Sequence, residues 1–401
     1  MNICIISSAF PSKRNPIINI FIYRQAKALV ERGNKVFVIG GDTEPREESG
    51  MIVYARPNPF KSMILALKTV LTIPKESLWL LKNKGLKGTV GRLALVQMTC
   101  NLLEKENIDV IDGNYATYGG VVAYLVSKIH NKQYITTCHG ADMMEVTDAA
   151  LRLLSEGEKR IVSLVLKNSK YILAPSQDLA NYTKIYCPDC PTKVVYNSVD
   201  LNFFKPSNNK IFKERTVICV GSLDERKGHR YLLKAIQQIL EEITDVDFII
   251  IGRGSEKKKL KNLAKELNIQ DNVNFIDFLT DEQLRIYYSS SEFFVLATLY
   301  DSFGIVFAEA MACGLPVVST NILSLQEVVD GGGILVEPRN SDQLAKAMLR
   351  LLKDEKLRQE LSKKALEQAK KFSIERRIDT IEELYESIIE NEIKTKRAME
   401  V

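Results

Sequence analysis

Short β-branched runs alternate with segments of helical periodicity from one end of this 401-residue chain to the other. Apolar residues at i, i+3 and i+4 mark helices, and brief aliphatic runs bounded by turn residues mark buried strands. In the first half the pattern predicts strands at 3–7 (ICIIS), 35–39, 108–112, 133–138, 170–174 and 193–196. Between them lie helical segments such as "IFIYRQAKALVERG", stopped at Gly33. A polar, lysine-rich stretch, "LNFFKPSNNKIFKER" (201–215), breaks the alternation and reads as an inter-domain linker. The pattern restarts with strands at 216–220, 247–251, 273–276, 293–296 and 316–319, and with helices at about 228–242, 255–267, 281–290 and 304–313. From 341 onward the chain is helical and charged, with no further strand expected.

Such alternation is the signature of a parallel sheet wrapped by helices, and here it occurs twice. The expected architecture is α/β: two doubly wound domains, 1–200 and 216–375, and a closing helix over 376–401. Ligands of such sheets sit beyond the carboxyl ends of the strands, so a two-domain version is expected to bind in the cleft.

Composition adds limits. With 45% hydrophobic and 26% charged residues the chain reads as soluble and globular. The opening apolar run is too short and lacks the basic leader of a signal peptide, and no apolar stretch reaches the ~18 residues of a membrane span. Seven scattered cysteines suit reduced thiols in a cytosolic protein. "CPDC" (187–190) has metal-site spacing, but no second Cys/His pair completes it, so no metal is expected. "DVD" (245–247) leads straight into "FIII" and reads as a strand start. No phosphate-loop motif or complete dinucleotide fingerprint appears, and a net charge of +5 gives no reason to expect a nucleic-acid partner. His130 and His229 read as surface or capping residues.

The densest chemistry lies in "YDSFGIVFAEAMACGLPVVST" (300–320), where Glu309 is the one carboxylate from Ser302 to Thr320. No neighbour at i±3 or i±4 can pair with it, and a buried carboxylate without donors is costly. A helix from about Phe303 to Cys313 is expected, with Ser302 as N-cap, Gly304 for close approach of a ligand and Gly314 as the stop. Free N–H groups of Phe303, Gly304 and Ile305 would favour a phosphate, and Glu309, leaning back toward the N-terminus, suits the vicinal hydroxyls of a ribose. The plainer alternative is a core helix with one water-bonded Glu.

Asp301 and Glu309 stand in the acid-x₇-acid spacing, and the stretch resembles that of retaining glycosyltransferases of family 4 (glycosyl transferases group 1) with the GT-B fold. The resemblance implies two Rossmann-like domains facing across a cleft, with the C-terminal helix returning to the N-terminal domain. It implies that Glu309 binds the ribose, that Asp301 holds the donor sugar and that the amides of 302–305 bind the diphosphate. Asp301 departs from the family's usual Glu by one methylene. "VGSLDERKGHRYLLKAI" resembles the strand–loop–helix that supplies cations to the diphosphate: Lys227 matches, and Arg226 stands in for an Arg often found where this chain has Ser222. In "IIIGRGSE", Arg253 is expected to flank the base or a phosphate, a plain turn being the other reading. "YNSVDLNFFKP" resembles the family's segment before the linker. In "CHGADM", His139, followed by Gly140 and Asp142, matches the active-site histidine next to the donor sugar. Asn19 stands where the family's loop for acceptor and diphosphate has glycine, and Asn tolerates unusual backbone angles and can cap a helix.

The implied reaction moves a hexosyl unit from a nucleotide-diphosphate sugar to a glycan or lipid-linked acceptor with retention and without a metal cofactor, in cell-surface polysaccharide or glycolipid synthesis. The competing readings are a GT-B epimerase and a non-catalytic nucleotide-sugar-binding protein. Finally, 61–92 carries seven basic residues and one acid, Glu76, with Lys61, Lys68, Lys75 and Lys82 at seven-residue intervals beside Met63, Ile64, Leu67, Val70, Leu71, Leu78, Trp79 and Leu81. It is expected to contact an anionic membrane from the cytoplasmic side, with a kink or break at Pro74. An ordinary surface helix pair is the alternative.

Overall fold

The structure, a computed structural model, describes residues 1–12, 18–41, 45–143, 154–207, 210–212 and 215–399. The chain divides into two units: the first comprises Met1–Glu145, Leu153–Tyr196 and Glu375–Val401, and the second contains Asn197–Ile374.

In the first unit the strands are β1 (Asn2–Ile6), β2 (Lys35–Gly41), β3 (Arg46–Glu48), β4 (Met51–Ala55), β5 (Val110–Asn114), β6 (Tyr134–Thr137), β7 (Tyr171–Ala174) and β8 (Thr192–Val194). They form one sheet in the order β3-β4-β2-β1-β5-β6-β7-β8, parallel except for the β3–β4 edge pair. Helices cover both faces, so Ile3 to Ile6 and Val36 to Ile39 are fully buried; this is why these strands read as continuous apolar runs. The strand order reverses between β1 and β5, where the connections leave to opposite sides.

The second unit holds β9 (Arg215–Val220), β10 (Val246–Ile251), β11 (Val273–Ile276), β12 (Phe293–Leu296), β13 (Val317–Thr320) and β14 (Gly333–Val336). Its sheet is parallel in the order β11-β10-β9-β12-β13-β14, with the reversal between β9 and β12.

All eleven expected strands are present within about two residues of their predicted bounds. Three more appear: β3 and β14, short strands at sheet edges, and β4, which lies between β3 and β2. The expected linker is not one open stretch: residues 201–204 form a turn, 208–209 and 213–214 lie outside the described residues, and β9 begins at Arg215. The closing helix Ile374–Met399 belongs to the first unit, as the resemblance implied. There Arg377 donates to Gln25 Oε1 (2.7 Å) and to the carbonyls of Val195 and Tyr196, and Tyr385 Oη donates to Asp112 Oδ2 (2.9 Å).

Two expectations need correction. Cys187 and Cys190 are bonded to each other, because the chain turns tightly after the helix Gln177–Tyr186 and leaves their Cα atoms 5.5 Å apart, a disulfide span. The other five cysteines are buried and free. His229 is not a surface residue but a buried one, donating through Nε2 to the Ser222 carbonyl at 3.0 Å. The 61–92 segment breaks at Pro74 as expected, into the helices Pro59–Thr72 and Pro74–Lys105, and the second is interrupted again at Gly85. The lysine stripe is therefore not continuous.

Candidate functional site

The loops at the carboxyl ends of β9 and β12 meet at the reversal of the second sheet. Gly228 ends the first loop at φ 62°, and a Cβ there would collide with the Ala297 carbonyl, so only glycine lets the loops approach. The Arg226 carbonyl accepts the Leu299 N–H at 2.6 Å and the Thr298 hydroxyl at 3.2 Å. Across this seam Lys227 Nζ lies 2.6 Å from Asp301 Oδ2, with both side chains less than one-fifth exposed.

Asp301 Oδ1 also faces the Phe303 N–H at 3.5 Å. The helix that follows runs Ile305–Ala312. Its N-cap is Gly304, in the left-handed region at φ 78°, and not Ser302: the chain turns at 302–304 before it can become helical, so no side chain caps the amides. A Cβ on Gly304 would strike the Phe307 ring. The first turn thus offers N–H groups, Gly304 to Val306, with no hydrogen-bond partner among the described residues, beside Lys227. Glu309 lies further along, 4% exposed, and after burial itself its charge is the next cause that pushes the Cys313 thiol up to about 12.

Other cations are placed by the same loops. The Arg226 guanidinium grips Asp224 at two points (Nε–Oδ1 3.1 Å, Nη2–Oδ2 2.8 Å), and Ser222 donates to the same carboxylate at 2.6 Å. Burial alone would raise Asp224, but these donors hold it below its ordinary value. Arg253, on the exposed turn after β10, stacks over Phe278 at 5.5 Å.

In the first unit a second polar cluster sits at the carboxyl ends of β1, β5 and β6. His139 is 8% exposed, its ring between Phe21 (4.8 Å) and Tyr115 (4.5 Å). Its Nε2 lies 2.9 Å from Asn114 Oδ1. Burial, with Arg377 nearby, lowers its pKa to about 3, so it is neutral. Asp142 clamps the loop by accepting from the N–H groups of Ala116 and His139. Tyr115 stands at φ 67°, strained for an aromatic residue, at the head of a π-turn over Tyr115–Gly119. That conformation lets its hydroxyl donate to Asn19 Oδ1 at 2.7 Å. Asn19 itself is left-handed (φ 50°), as its tolerance suggested; its side chain does not cap the helix but donates to the Ala9 carbonyl.

Residues 18–203 match the model of Glycosyltransferase Family 4, and residues 201–368 match that of the glycosyl transferases group 1. The chain belongs to this glycosyltransferase family. Its two parallel-sheet domains are those of the GT-B fold: the sucrose-phosphate synthase structure from Thermosynechococcus elongatus superposes with a TM-score of 0.79 at 23% identity, over 97% of this chain and 99% of that one. An N-acetyl-alpha-D-glucosaminyl L-malate synthase of Bacillus anthracis is 26% identical over 315 residues, 75% of this chain and 80% of its own. A Campylobacter jejuni N-acetylgalactosamine-N,N'-diacetylbacillosaminyl-diphospho-undecaprenol 4-alpha-N-acetylgalactosaminyltransferase is 32% identical over 214 residues, 52% of this chain and 56% of its own.

Of the residues singled out in this glycosyltransferase's sequence, Lys227, Asp301, Phe303, Gly304 and Ile305 come together at one point, and Asn19 and His139 meet through Tyr115. Arg226 is engaged by Asp224. Asn114, Tyr115, Phe21, Asp112 and Phe278 carried no signal of their own. Asn114 ends β5, so placing that strand at 110–114 and not 108–112 would have exposed a polar residue at a strand's carboxyl end. Among the described residues no three His, Cys, Asp or Glu side chains cluster as metal ligands, and no helix is long and apolar enough to cross a membrane.

Proposed function

We propose that this glycosyltransferase moves a hexosyl unit from a nucleoside-diphosphate sugar to a hydroxyl of a glycan or lipid-linked acceptor, with retention of configuration and without a metal. The observation that carries the reading is the Lys227–Asp301 pair beside the uncapped helix at Gly304, at the strand reversal of the second sheet. A cation and preorganised amides at one point are what a departing diphosphate requires. In this reading Lys227 and the amides of 303–305 stabilise the diphosphate as the sugar's C1–O bond breaks. Glu309 holds the ribose diol, Asp301 orients the transferred sugar, and His139 accepts a sugar hydroxyl. The acceptor oxygen bonds to C1 on the face the diphosphate leaves, and its proton passes to the departing phosphate.

The acceptor side has a structural pointer. Phe60, Met63, Ile64, Leu67, Leu71, Leu78, Leu81 and Leu86 all stand exposed along Pro59–Thr72 and the start of Pro74–Lys105, among exposed Lys61, Lys68, Lys75, Lys82 and Lys87. An apolar ridge edged by lysines suits the surface of an anionic bilayer on the cytoplasmic side, and with it a lipid-linked acceptor of cell-surface glycan synthesis. Four residues of the expected patch drop out: Val70 and Trp79 pack partly buried on the core, and of the seven basic residues Lys84 is held by the buried Glu158 and Arg92 is buried against the Thr117 carbonyl.

Mass spectrometry of the protein with pooled nucleotide sugars and a bacterial lipid extract tests the reading. It expects a glycosylated product, and NMR of the isolated product is expected to show an anomeric configuration matching the donor's. Conversion of donor to an epimer without acceptor would instead indicate the epimerase, and binding without turnover the binding protein.

A further inference from the structure

The reading of His139 as a sugar contact leaves open which ring nitrogen faces the substrate, and the buried cluster behind it decides this. We propose that Asn114 is a positioning residue whose amide carbonyl fixes His139 as the tautomer protonated on Nε2, leaving Nδ1 to accept a hydrogen bond from a sugar hydroxyl.

The polarity of each link follows from the one behind it. Arg377 has only donors, and its Nε and Nη2 point at one oxygen, Gln25 Oε1 (3.2 and 2.7 Å). Gln25 must therefore turn its Nε2 to Asp112 Oδ2, 3.3 Å away, where Tyr385 also donates at 2.9 Å. Thr137 Oγ1 donates to Asp112 Oδ1 at 2.8 Å. Against that same Oδ1, at 3.4 Å, stands the Asn114 amide nitrogen. A flipped Asn114 would press its carbonyl against a carboxylate and its NH₂ against the imidazole. As it stands, Asn114 Oδ1 faces His139 Nε2 at 2.9 Å, and an amide oxygen can only accept, so the proton is on Nε2.

Nδ1 is then an unprotonated acceptor. It is buried and has no hydrogen-bond partner among the described residues. Phe21 and Tyr115 flank the ring and oppose a turn of the imidazole toward another partner. A buried acceptor left unpaired is costly unless a ligand donor fills it, and a sugar hydroxyl is such a donor. The closing helix, through Arg377 and Tyr385, thereby sets the hydrogen-bonding sense of a residue at the far end of the chain of contacts. The sugar hydroxyl as the partner rests on the transfer reading; the tautomer does not.

Long-range ¹⁵N–¹H correlation spectra at neutral pH test this. The chain has three histidines, and His139→Gln identifies the signal that belongs to His139. A single Nε2–H pattern for His139 is expected in the wild-type protein, and an Nδ1–H or averaged pattern would overturn the proposal. Asn114→Leu removes the acceptor and should give mixed tautomers, with kcat lowered about tenfold and nucleoside-diphosphate affinity unchanged. An unchanged spectrum or an unchanged kcat in Asn114→Leu would also overturn it. If the leucine variant does not fold, the wild-type spectrum decides. Absence of any turnover by the wild-type protein sinks the transfer reading and leaves the tautomer to be judged on its spectrum.

Discussion

Lys227 Nζ and Asp301 Oδ2 stand 2.6 Å apart, joining the loop after β9 to the loop after β12. Each is the other's counter-ion, and a bound diphosphate would compete with the carboxylate for the ammonium group. Removing the two partners should therefore have opposite effects on the nucleotide. Lys227→Ala is expected to weaken nucleoside-diphosphate binding by on the order of 10- to 100-fold, the worth of a charged hydrogen bond. Asp301→Asn should leave that affinity equal or raise it, because Lys227 is released, while turnover falls. Calorimetry with UDP, GDP and ADP reads both; equal losses in the two variants would show that the pair is only a structural brace.

Asp301→Glu restores the acid usual in the family one methylene further out. It should keep the fold and change the rate or donor preference more than nucleotide affinity. A nucleotide-sugar panel with identical rates and an unchanged preference would refute a sugar-facing Asp301.

Glu309 is buried on an otherwise apolar helix. If it holds the ribose diol, Glu309→Ala should lose about 10- to 100-fold in nucleotide affinity and Glu309→Gln less, since an amide oxygen still accepts from a hydroxyl. Unaltered affinity in Glu309→Ala, with the variant folded, would return Glu309 to a purely internal role.

Two buried histidines make stability fall with acid. Burial lowers His229 to about 4, partly opposed by its bond to the Ser222 carbonyl, and lowers His139 to about 3. In the unfolded chain a histidine titrates near 6.5. Between that value and the folded one, the unfolded state binds more protons, so the stability present at neutral pH is lost as pH drops through this window. Each histidine contributes roughly 1.4 kcal/mol per pH unit there. Urea unfolding of His229→Gln, which keeps a donor for the Ser222 carbonyl, should show a shallower dependence between pH 6 and about 4.5. A slope equal to the wild type's would remove His229 from this account.

The exposed ridge should bind anionic vesicles at low salt, less so as salt rises, and neutral vesicles not at all. Charge reversal at Lys68, Lys75 and Lys82 should abolish co-sedimentation and leave nucleotide affinity intact. Lys84→Ala should behave differently. It strands Glu158, 3% exposed and held at a pKa of about 2 by Lys84 and Ser155 against the pull of burial, so it should lower the melting temperature without touching lipid binding. Equal binding to neutral and anionic vesicles would leave the lysines without this role.

Interactions close in sequence were legible from the sequence. Strands buried on both faces announce themselves as β-branched runs, and the two parallel sheets followed from their alternation with helices. The segment 301–314 holds its carboxylates and both turn glycines within fourteen positions, so local chemistry and the family resemblance singled it out as the candidate donor site. Where partners come from distant positions, the one-dimensional pattern was silent. Lys227 finds Asp301 across 74 positions, and the Arg377–Gln25–Asp112–Asn114–His139 series spans nearly the whole chain. The burial of His229 depends on β9 packing beneath it. One close pair also escaped, since the Cys187–Cys190 bond depends on how tightly one turn closes. Likewise, which lysines of 61–92 face solvent was decided by Glu158, one residue of a later helix. Periodicity fixes which face of an element is apolar, but only the assembled sheet and its helices decide which polar groups lose water and must find each other instead.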